Sequence, residues 1–212
     1  MRTAAWALGA FVAGTLPSPY LIARLAGHSD LIGEMRRRES AGDAHFVLAQ
    51  KASVALGADA ATVDVLKGFG PALAARATGQ RPSTLAWVGF AAVAGHSFAP
   101  FLRAFGGRGL STAAGVALAV IPKAMVATGL IVLAGMILRA GGLGTSIGFG
   151  LMAGFAGLFG YPAPLVWMAA GMFALIALRR LEGIGDDRRD GIPVGKALVG
   201  RLLFDLPRGR HS

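Results

Sequence analysis

The sequence predicts an all-α, polytopic membrane protein with seven transmembrane helices, its N-terminus outside the cytoplasm and its C-terminus inside. Three observations support this prediction. First, 54% of the 212 residues are hydrophobic and only 15% are charged, whereas about a quarter of the residues of a soluble domain are charged. Second, apolar runs close to the roughly 20 residues that cross a bilayer recur along the chain. Third, the basic residues concentrate on alternate connections between these runs.

The apolar runs define seven predicted spans. The spans cover approximately residues 4–26, 52–76, 84–104, 109–121, 124–140, 143–160 and 162–180. The first run is long enough to be a retained span rather than a cleaved signal peptide. We therefore expect a single membrane domain over residues 1–181 and a basic cytoplasmic tail over residues 182–212.

The lysines and arginines set the predicted orientation. Sixteen of them fall on the side that holds the tail, and four fall on the other side: Arg2, Arg76, Arg81 and Lys123. Because loops rich in lysine and arginine stay in the cytoplasm, the tail is predicted to be cytoplasmic. The stretch VGKALVGRLLFDL at 194–206 is amphipathic. It favours a short helix lying on anionic lipid, with binding to a partner protein as the alternative.

Composition excludes several kinds of site. The chain has no cysteine, which excludes disulfides, thiolate nucleophiles and cysteine-ligated metals. Its four histidines, at positions 28, 45, 96 and 211, have no spacing typical of a zinc site. We therefore expect no metal and no cofactor. The net charge of +10 is explained by membrane orientation, so no nucleic-acid partner is expected, and the oligomeric state is left open.

A glycine-rich turn stands out in the stretch GHSFAPFLRAFGGRGLST, residues 95–112. Gly106, Gly107 and Gly109 surround Arg108 directly before a predicted helix. Glycines allow backbone N–H groups to converge, and a helix N-terminus adds partial positive charge. With the planar guanidinium of an arginine, such a turn is typical of a phosphate site. The alternative is that the arginines of this loop only anchor it at the membrane edge.

Asp64, Lys67 and His96 are ionisable residues within predicted spans that are candidates for a site. Asp64 and Lys67 lie three residues apart in TVDVLKG, on one helix face. Because charged side chains are costly at membrane depth, such pairs usually face a protein interior. A structural ion pair is the alternative interpretation. His96 lies in the third span, where a histidine either bonds to a neighbouring helix or takes part in a site.

The motifs identify a resemblance to the bacterial acyl-phosphate:glycerol-3-phosphate acyltransferases, seven-span enzymes of the inner membrane. The family motif GHxFPxFLxFxGGKGxAT aligns with residues 95–112 without a gap, including Thr112, and Arg108 stands where the family has lysine. DVLKG at 64–68 and LPSPYLIARLAG at 16–27 resemble two further family stretches. The resemblance covers residues 14 to about 186.

The resemblance implies an activity and a location. Family members transfer an acyl chain from acyl phosphate to the 1-hydroxyl group of glycerol 3-phosphate, which gives lysophosphatidic acid for phospholipid biosynthesis. A substrate phosphate is thought to take the hydroxyl proton, so no protein base or metal is needed, and the acyl tail enters from membrane lipid. The implied location is the cell inner membrane, with a cytoplasmic active site.

The resemblance also implies which residues form the site. Arg108 would hold phosphate and stabilise charge in the transition state. Ser40 and Ser146 would supply hydroxyl contacts, and Arg36 or Lys51 would supply a second cation, although one register places Gln50 there. Asp64, Lys67 and His96 would shape the pocket from within.

Two family motifs are altered in this chain. ESAGDAHFV at 39–47 stands where the family has GSGNxGATN, and alanines replace a histidine and an asparagine in FALIALRRLEGIGDD. Removing hydrogen-bonding groups from a preorganised site reduces catalysis. A second hypothesis is therefore a catalytically silent relative that binds lipid phosphate or regulates a partner. A third is a small transporter built from glycine-rich helices.

Overall fold

The computed structural model describes residues 2–37, 44–99 and 107–204, apart from the side chains of residues 36 and 37. Within those ranges the chain forms helices and the connections between them, and no strand. The predicted all-α fold is therefore confirmed. The chain groups into two compact units, Met1–Val120 and Ile121–Ser212. The prediction of one membrane domain followed by a tail stays a prediction.

The first unit contains seven α-helices in its described residues. They are α1 (Arg2–Gly14), α2 (Ser18–Leu25), α3 (Ile32–Arg37), α4 (Ala44–Lys51), α5 (Val54–Ala77), α6 (Pro82–Ser97) and α7 (Leu110–Val120), with a 3₁₀ turn at Ser29–Leu31 before α3. The local sequence explains where two of these helices, α5 and α6, begin. The Ser53 hydroxyl accepts a hydrogen bond from the backbone N–H of Leu56 at 3.2 Å and caps α5. Pro82 begins α6, where its missing N–H is not needed.

Glycines bring the helices of the first unit close together. A Cβ atom at Gly14 or Gly95 would lie far inside contact distance of a backbone carbonyl on the facing helix, so α1 and α6 touch through their backbones. Gly68 and Gly115 join α5 and α7 in the same way. Small residues are what such close packing requires. This packing fixes the start of α7 beside α5, where the candidate site lies.

The second unit contains five α-helices in the part that the structure describes. They are α8 (Pro122–Ile137), α9 (Gly141–Leu158), α10 (Ala163–Arg180), α11 (Ile184–Arg189) and α12 (Val194–Leu203). α8 and α9 form an antiparallel hairpin in which Gly135 faces Gly144. Deeper in the hairpin, the Thr128 hydroxyl donates to the Gly148 carbonyl at 3.3 Å. α12 lies within the stretch that the sequence predicts to be amphipathic.

In the part of the chain that the structure describes, fewer helices are long and apolar enough to cross a membrane than the seven spans that the sequence predicts. Each of the seven predicted spans contains at least one helix. Among the described residues, two stretches are long and apolar enough to cross a membrane, Gly141–Leu158 and Ala163–Arg189. A third is obtained if α1 and α2, which are bent by 46°, count as one span. The seven-span count and the orientation of the termini stay predictions.

Candidate functional site

A buried polar cluster in the first unit surrounds the carboxylate of Asp64, which has no exposed surface. The Ser18 hydroxyl donates to Oδ1 at 2.6 Å, and Lys67 Nζ lies 2.6 Å from the same oxygen. His45 Nε2 lies 2.5 Å from Oδ2. These partners come from α2, α5 and α4, so the cluster joins three helices. Because a buried charge is tolerated only with such compensation, Asp64 is fixed by its neighbours.

Lys67 holds the connection between α1 and α2 against α5. Its Nζ donates to the Leu16 carbonyl at 2.7 Å and lies 3.4 Å from Ser18 Oγ, while only 6% of the side chain is exposed. The ammonium therefore has one charged partner, Asp64, and two neutral oxygen partners. The structure brings together Asp64 and Lys67 inside the first unit, on the helix face that the sequence predicts.

His96 connects this cluster to the glycine-rich turn. Its Nδ1 lies 3.6 Å from Asp64 Oδ1, which is too long for a hydrogen bond, and it has no hydrogen-bond partner among the described residues. The opposite nitrogen, Nε2, lies against Gly107, and a Cβ atom at that position would collide with the ring. Any side chain at position 107 would therefore displace the imidazole.

The turn leads directly into α7. Gly109 has a φ of +88°, in the left-handed region that favours glycine. Its carbonyl accepts a hydrogen bond from the backbone N–H of Ala113 at 2.8 Å, in the first turn of the helix. Arg108 lies half-buried between the two glycines. The turn thus places an arginine and the positive end of a helix at one position, an arrangement that binds anions.

A small pocket lies over the cluster. It is lined by the connection between α1 and α2, by the side chains of His45, Asp64, Lys67 and His96, and by Gly107. Buried charges and a glycine turn therefore border one space within the first unit. The cluster can hold the start of α7 in a fixed position.

Two other predicted site residues lie away from this pocket. Thr112 is completely buried where α7 meets α5, with its backbone against Gly68. Lys51 ends α4, and its Nζ donates to Glu34 Oε2 at 2.7 Å on the protein surface. The substrate contacts predicted for both residues stay predictions.

Two predicted positions fall outside the described residues, and a third is described only in its backbone. Ser40 and Gly106 lie outside the described residues, and only the backbone of Arg36 is described, within α3. Their predicted roles are not placed by the structure.

Ser146 belongs to a separate polar cluster in the second unit. Arg180 Nη1 donates to its hydroxyl oxygen at 2.5 Å. The same hydroxyl lies 2.8 Å from the Leu202 carbonyl and 3.0 Å from the Leu203 carbonyl, at the end of α12. The Ser146 hydroxyl, which the sequence predicts to contact substrate, is therefore bonded to backbone carbonyls within its own unit.

The sequence alone did not identify Ser18, His45 and Arg180 as site residues. Ser18 lies in the LPSPYLIARLAG stretch and Arg180 in the altered C-terminal motif, so motif position was a usable signal for both. His45 replaces the alanine of the family stretch GSGNxGATN. Its contact with Asp64, 19 positions away, follows no local periodicity.

A family model and similar known proteins indicate the same family for this chain. The family model "Glycerol-3-phosphate acyltransferase" matches residues 4–186. Similar proteins with that name occur in Trichlorobacter lovleyi, 36% identical over 57% of this chain and 60% of the relative, and in Pseudomonas entomophila, 36% identical over 60% of this chain and 66% of the relative. The chain thus aligns with less than two thirds of the length of these relatives.

Two solved structures share the fold over most of their length. They are the glycerol 3-phosphate and lysophosphatidic acid forms of PlsY (YgiH), described as an integral membrane glycerol 3-phosphate acyltransferase. The first has a TM-score of 0.76 and 27% identity and covers 90% of this chain and 94% of its own. The second has a TM-score of 0.73 and 25% identity, with coverage of 90% and 93%. Our chain is accordingly an all-helical integral membrane protein.

Proposed function

Because the chain belongs to the glycerol-3-phosphate acyltransferase family, we propose that it transfers an acyl chain from acyl phosphate to the 1-hydroxyl group of glycerol 3-phosphate. The hydroxyl oxygen bonds to the acyl carbon while the bond from that carbon to the phosphate oxygen breaks. Lysophosphatidic acid and inorganic phosphate are the products, and the departing phosphate takes the hydroxyl proton. Membrane lipid surrounds the acyl tail, and no protein base is needed.

The observation that best supports this reaction is the contact between His96 and the turn at Gly107. His96 lies between Asp64 and the turn that bears Arg108, so it supports the backbone of that turn directly before α7. Preorganised positive groups stabilise the negative charge that develops on phosphate oxygens in acyl transfer. An arginine directly before a helix N-terminus suits two substrates that both contain phosphate.

The remaining predicted residues fit this proposal in different roles. Arg108 acts on the reacting phosphate with the backbone of Gly106, Gly107 and Gly109, while Asp64, Lys67 and His96 keep the turn in place. Ser40 and Ser146 supply hydroxyl contacts, Arg36 or Lys51 supplies the second cation, and Thr112 supports the start of α7.

The test uses purified protein in detergent with palmitoyl phosphate and labelled glycerol 3-phosphate. We expect lysophosphatidic acid from the wild type and a decrease of about tenfold or more in Arg108→Ala, because an essential charge contact is lost. Arg108→Lys, which restores the family residue, should recover part of the activity. Arg81→Ala removes an exposed arginine at the start of α6 and should leave the rate unchanged. Equal rates in all four proteins would contradict the assigned role of Arg108.

The membrane topology proposed with this function has seven spans in the inner membrane, an external N-terminus and a cytoplasmic active site. The distribution of basic residues supports it. Since the chain has no cysteine, single cysteines report their own location. In intact cells, a membrane-impermeant maleimide should label Thr78→Cys and not Ser29→Cys, two exposed positions. The opposite labelling pattern would refute the orientation.

A catalytically silent relative that binds lipid phosphate is the second candidate. It is favoured by Ser146 and Arg180, which are bonded to the end of α12. A silent relative would bind glycerol 3-phosphate or inorganic phosphate without forming product, in the same assay that tests acyl transfer.

A further inference from the structure

The C-terminal end of α12 lies against Arg180 and Ser146. Arg180 Nη1 donates to the Leu202 carbonyl at 2.9 Å, and the Ser146 hydroxyl reaches the carbonyls of Leu202 and Leu203. The next carbonyl, of Phe204, faces Gly142 so closely that a Cβ atom there would overlap it. Three consecutive backbone oxygens therefore meet the first turns of α9 and the end of α10.

These carbonyl oxygens can accept hydrogen bonds from Arg180 and Ser146 as the oxygens of an anion would. The last carbonyls of a helix have no partner within it and bear a partial negative charge. Arg180 is 4% exposed, and its planar guanidinium is suited to two oxygens of a phosphate. Ser146 adds a hydroxyl to the same group. The end of α12 thus makes the contacts that the family resemblance assigns to substrate at Ser146.

α12 lies beyond the part of the chain that the family model matches. The family model ends at residue 186, before α12 begins. The family's histidine and asparagine are replaced here by alanines in FALIALRR. One of these, Ala177, lines a largely apolar pocket together with Leu202 and Leu203. The alanine at position 177 of α10 and the end of α12 therefore border one pocket.

α12 is held in this position by a specific anchor. Arg201 donates to both carboxylate oxygens of Asp187, with the Oδ1 contact at 2.8 Å, and also to the Glu182 carbonyl. Asp187 is fully buried. The anchor joins Arg201 to α11, whereas the carbonyls at the end of α12 accept hydrogen bonds from Arg180 and the Ser146 hydroxyl. That end can leave Arg180 without breaking the ion pair.

We propose that the C-terminal end of α12 is an internal competitor for the phosphate of a substrate at Arg180 and Ser146. A phosphate group bears one to two full negative charges, whereas a helix end offers about half of one. A bound phosphate therefore displaces the end of α12, and docked α12 raises the substrate concentration that the enzyme needs. This inference rests on the proposed function for its effect on catalysis, although the displacement itself is a binding event.

A matched pair of glycine variants tests the proposal. Gly142→Ala places a methyl group against the Phe204 carbonyl, so the end of α12 must shift without any change to Arg180 or Ser146. Gly141→Ala adds the same methyl one residue earlier, where the nearest atom is 3.9 Å away. Both changes lie in the first turn of α9, so their effects on helix propensity are similar. Removal of residues 191–212, compared with removal of 205–212 only, provides a second pair.

Hydrogen exchange of the backbone amides of residues 197–204 is the first measurement. In the wild type, inorganic phosphate should speed this exchange about fivefold, and potassium chloride at equal ionic strength should not. Gly142→Ala should show the fast exchange without phosphate, and Gly141→Ala should behave as the wild type does. Exchange that phosphate leaves unchanged or slows would overturn the proposal.

Kinetics give the second measurement. Gly142→Ala and the protein without residues 191–212 should have a KM for glycerol 3-phosphate or palmitoyl phosphate about fivefold lower than the wild type, with kcat unchanged. A KM that is unchanged or higher in folded Gly142→Ala would overturn the proposal. If the wild type forms no product, the proposed function fails, and hydrogen exchange alone decides the role of α12.

Discussion

The two polar clusters, one in each unit, compensate buried positive charge in different ways. In the first unit, the ammonium of Lys67 meets the full negative charge of Asp64, which is also held by Ser18 and His45. In the second unit, Arg180 meets the Ser146 hydroxyl and a backbone carbonyl. The first cluster contains a formal ion pair, and the second contains hydrogen bonds from a guanidinium to a hydroxyl and to a backbone carbonyl.

Because of this difference, the first cluster is suited to be a fixed support and the second to be a contact that can be exchanged. Asp64 cannot leave Lys67 without exposing two buried charges, so the first cluster is permanent while the unit is folded. Carbonyl oxygens at a helix end can be replaced by water or by an anion at much lower cost. The first cluster is therefore suited to hold the turn of Arg108, and the second is suited to bind and release.

The largest expected effect is the loss of the Asp64 carboxylate. Asp64→Asn leaves Lys67 buried without a charged partner, which we expect to lower the free energy of unfolding by about 3–5 kcal/mol. Thermal unfolding in detergent measures the change. Asp59→Asn, an exposed position on the same helix, should change it by less than about 0.5 kcal/mol.

A double variant sharpens this result. Asp64→Leu with Lys67→Met removes both charges, and it should be more stable than Asp64→Asn because no buried charge is left unpaired. If the single and double variants unfold at the same temperature, the ion pair is not what makes the cluster permanent, and the contrast between the two units fails.

A smaller effect is expected in the second unit. Arg180→Met removes the hydrogen bonds to the Ser146 hydroxyl and the Leu202 carbonyl, so the free energy of unfolding should decrease by about 1–3 kcal/mol. Arg189→Met provides the comparison, since Arg189 is 80% exposed and pairs with Asp186 at 2.6 Å; its loss should cost less than about 1 kcal/mol. A decrease for Arg180→Met as large as that for Asp64→Asn would show that the two clusters are equally permanent.

The smallest effect is expected at Lys51. Its side chain is 47% exposed and paired with Glu34, so Lys51→Ala should lower the free energy of unfolding by no more than about 1 kcal/mol. We expect the KM for glycerol 3-phosphate to change less than about twofold, as for a surface pair that solvent screens. Gln50→Ala serves as the neighbouring control. A large rise of KM in Lys51→Ala alone would assign the second cation to Lys51.

The sequence alone determined the helical class, the family and two parts of the candidate site. Apolar runs and the scarcity of charge predict membrane helices because these properties are local and summed over many residues. The pairing of Asp64 with Lys67 follows from helical spacing, and glycines around Arg108 predict a turn at a helix start. Each of these inferences needs only neighbouring residues.

Only the tertiary structure decided which distant groups meet. Ser18 and His45 reach Asp64 across 46 and 19 positions, and no periodicity encodes such contacts. The sequence predicts that the Ser146 hydroxyl contacts substrate. In the structure it bonds instead to the end of α12, more than 50 positions away. The reason is physical, because a polar side chain binds whichever complementary group the packing of helices brings within hydrogen-bond distance.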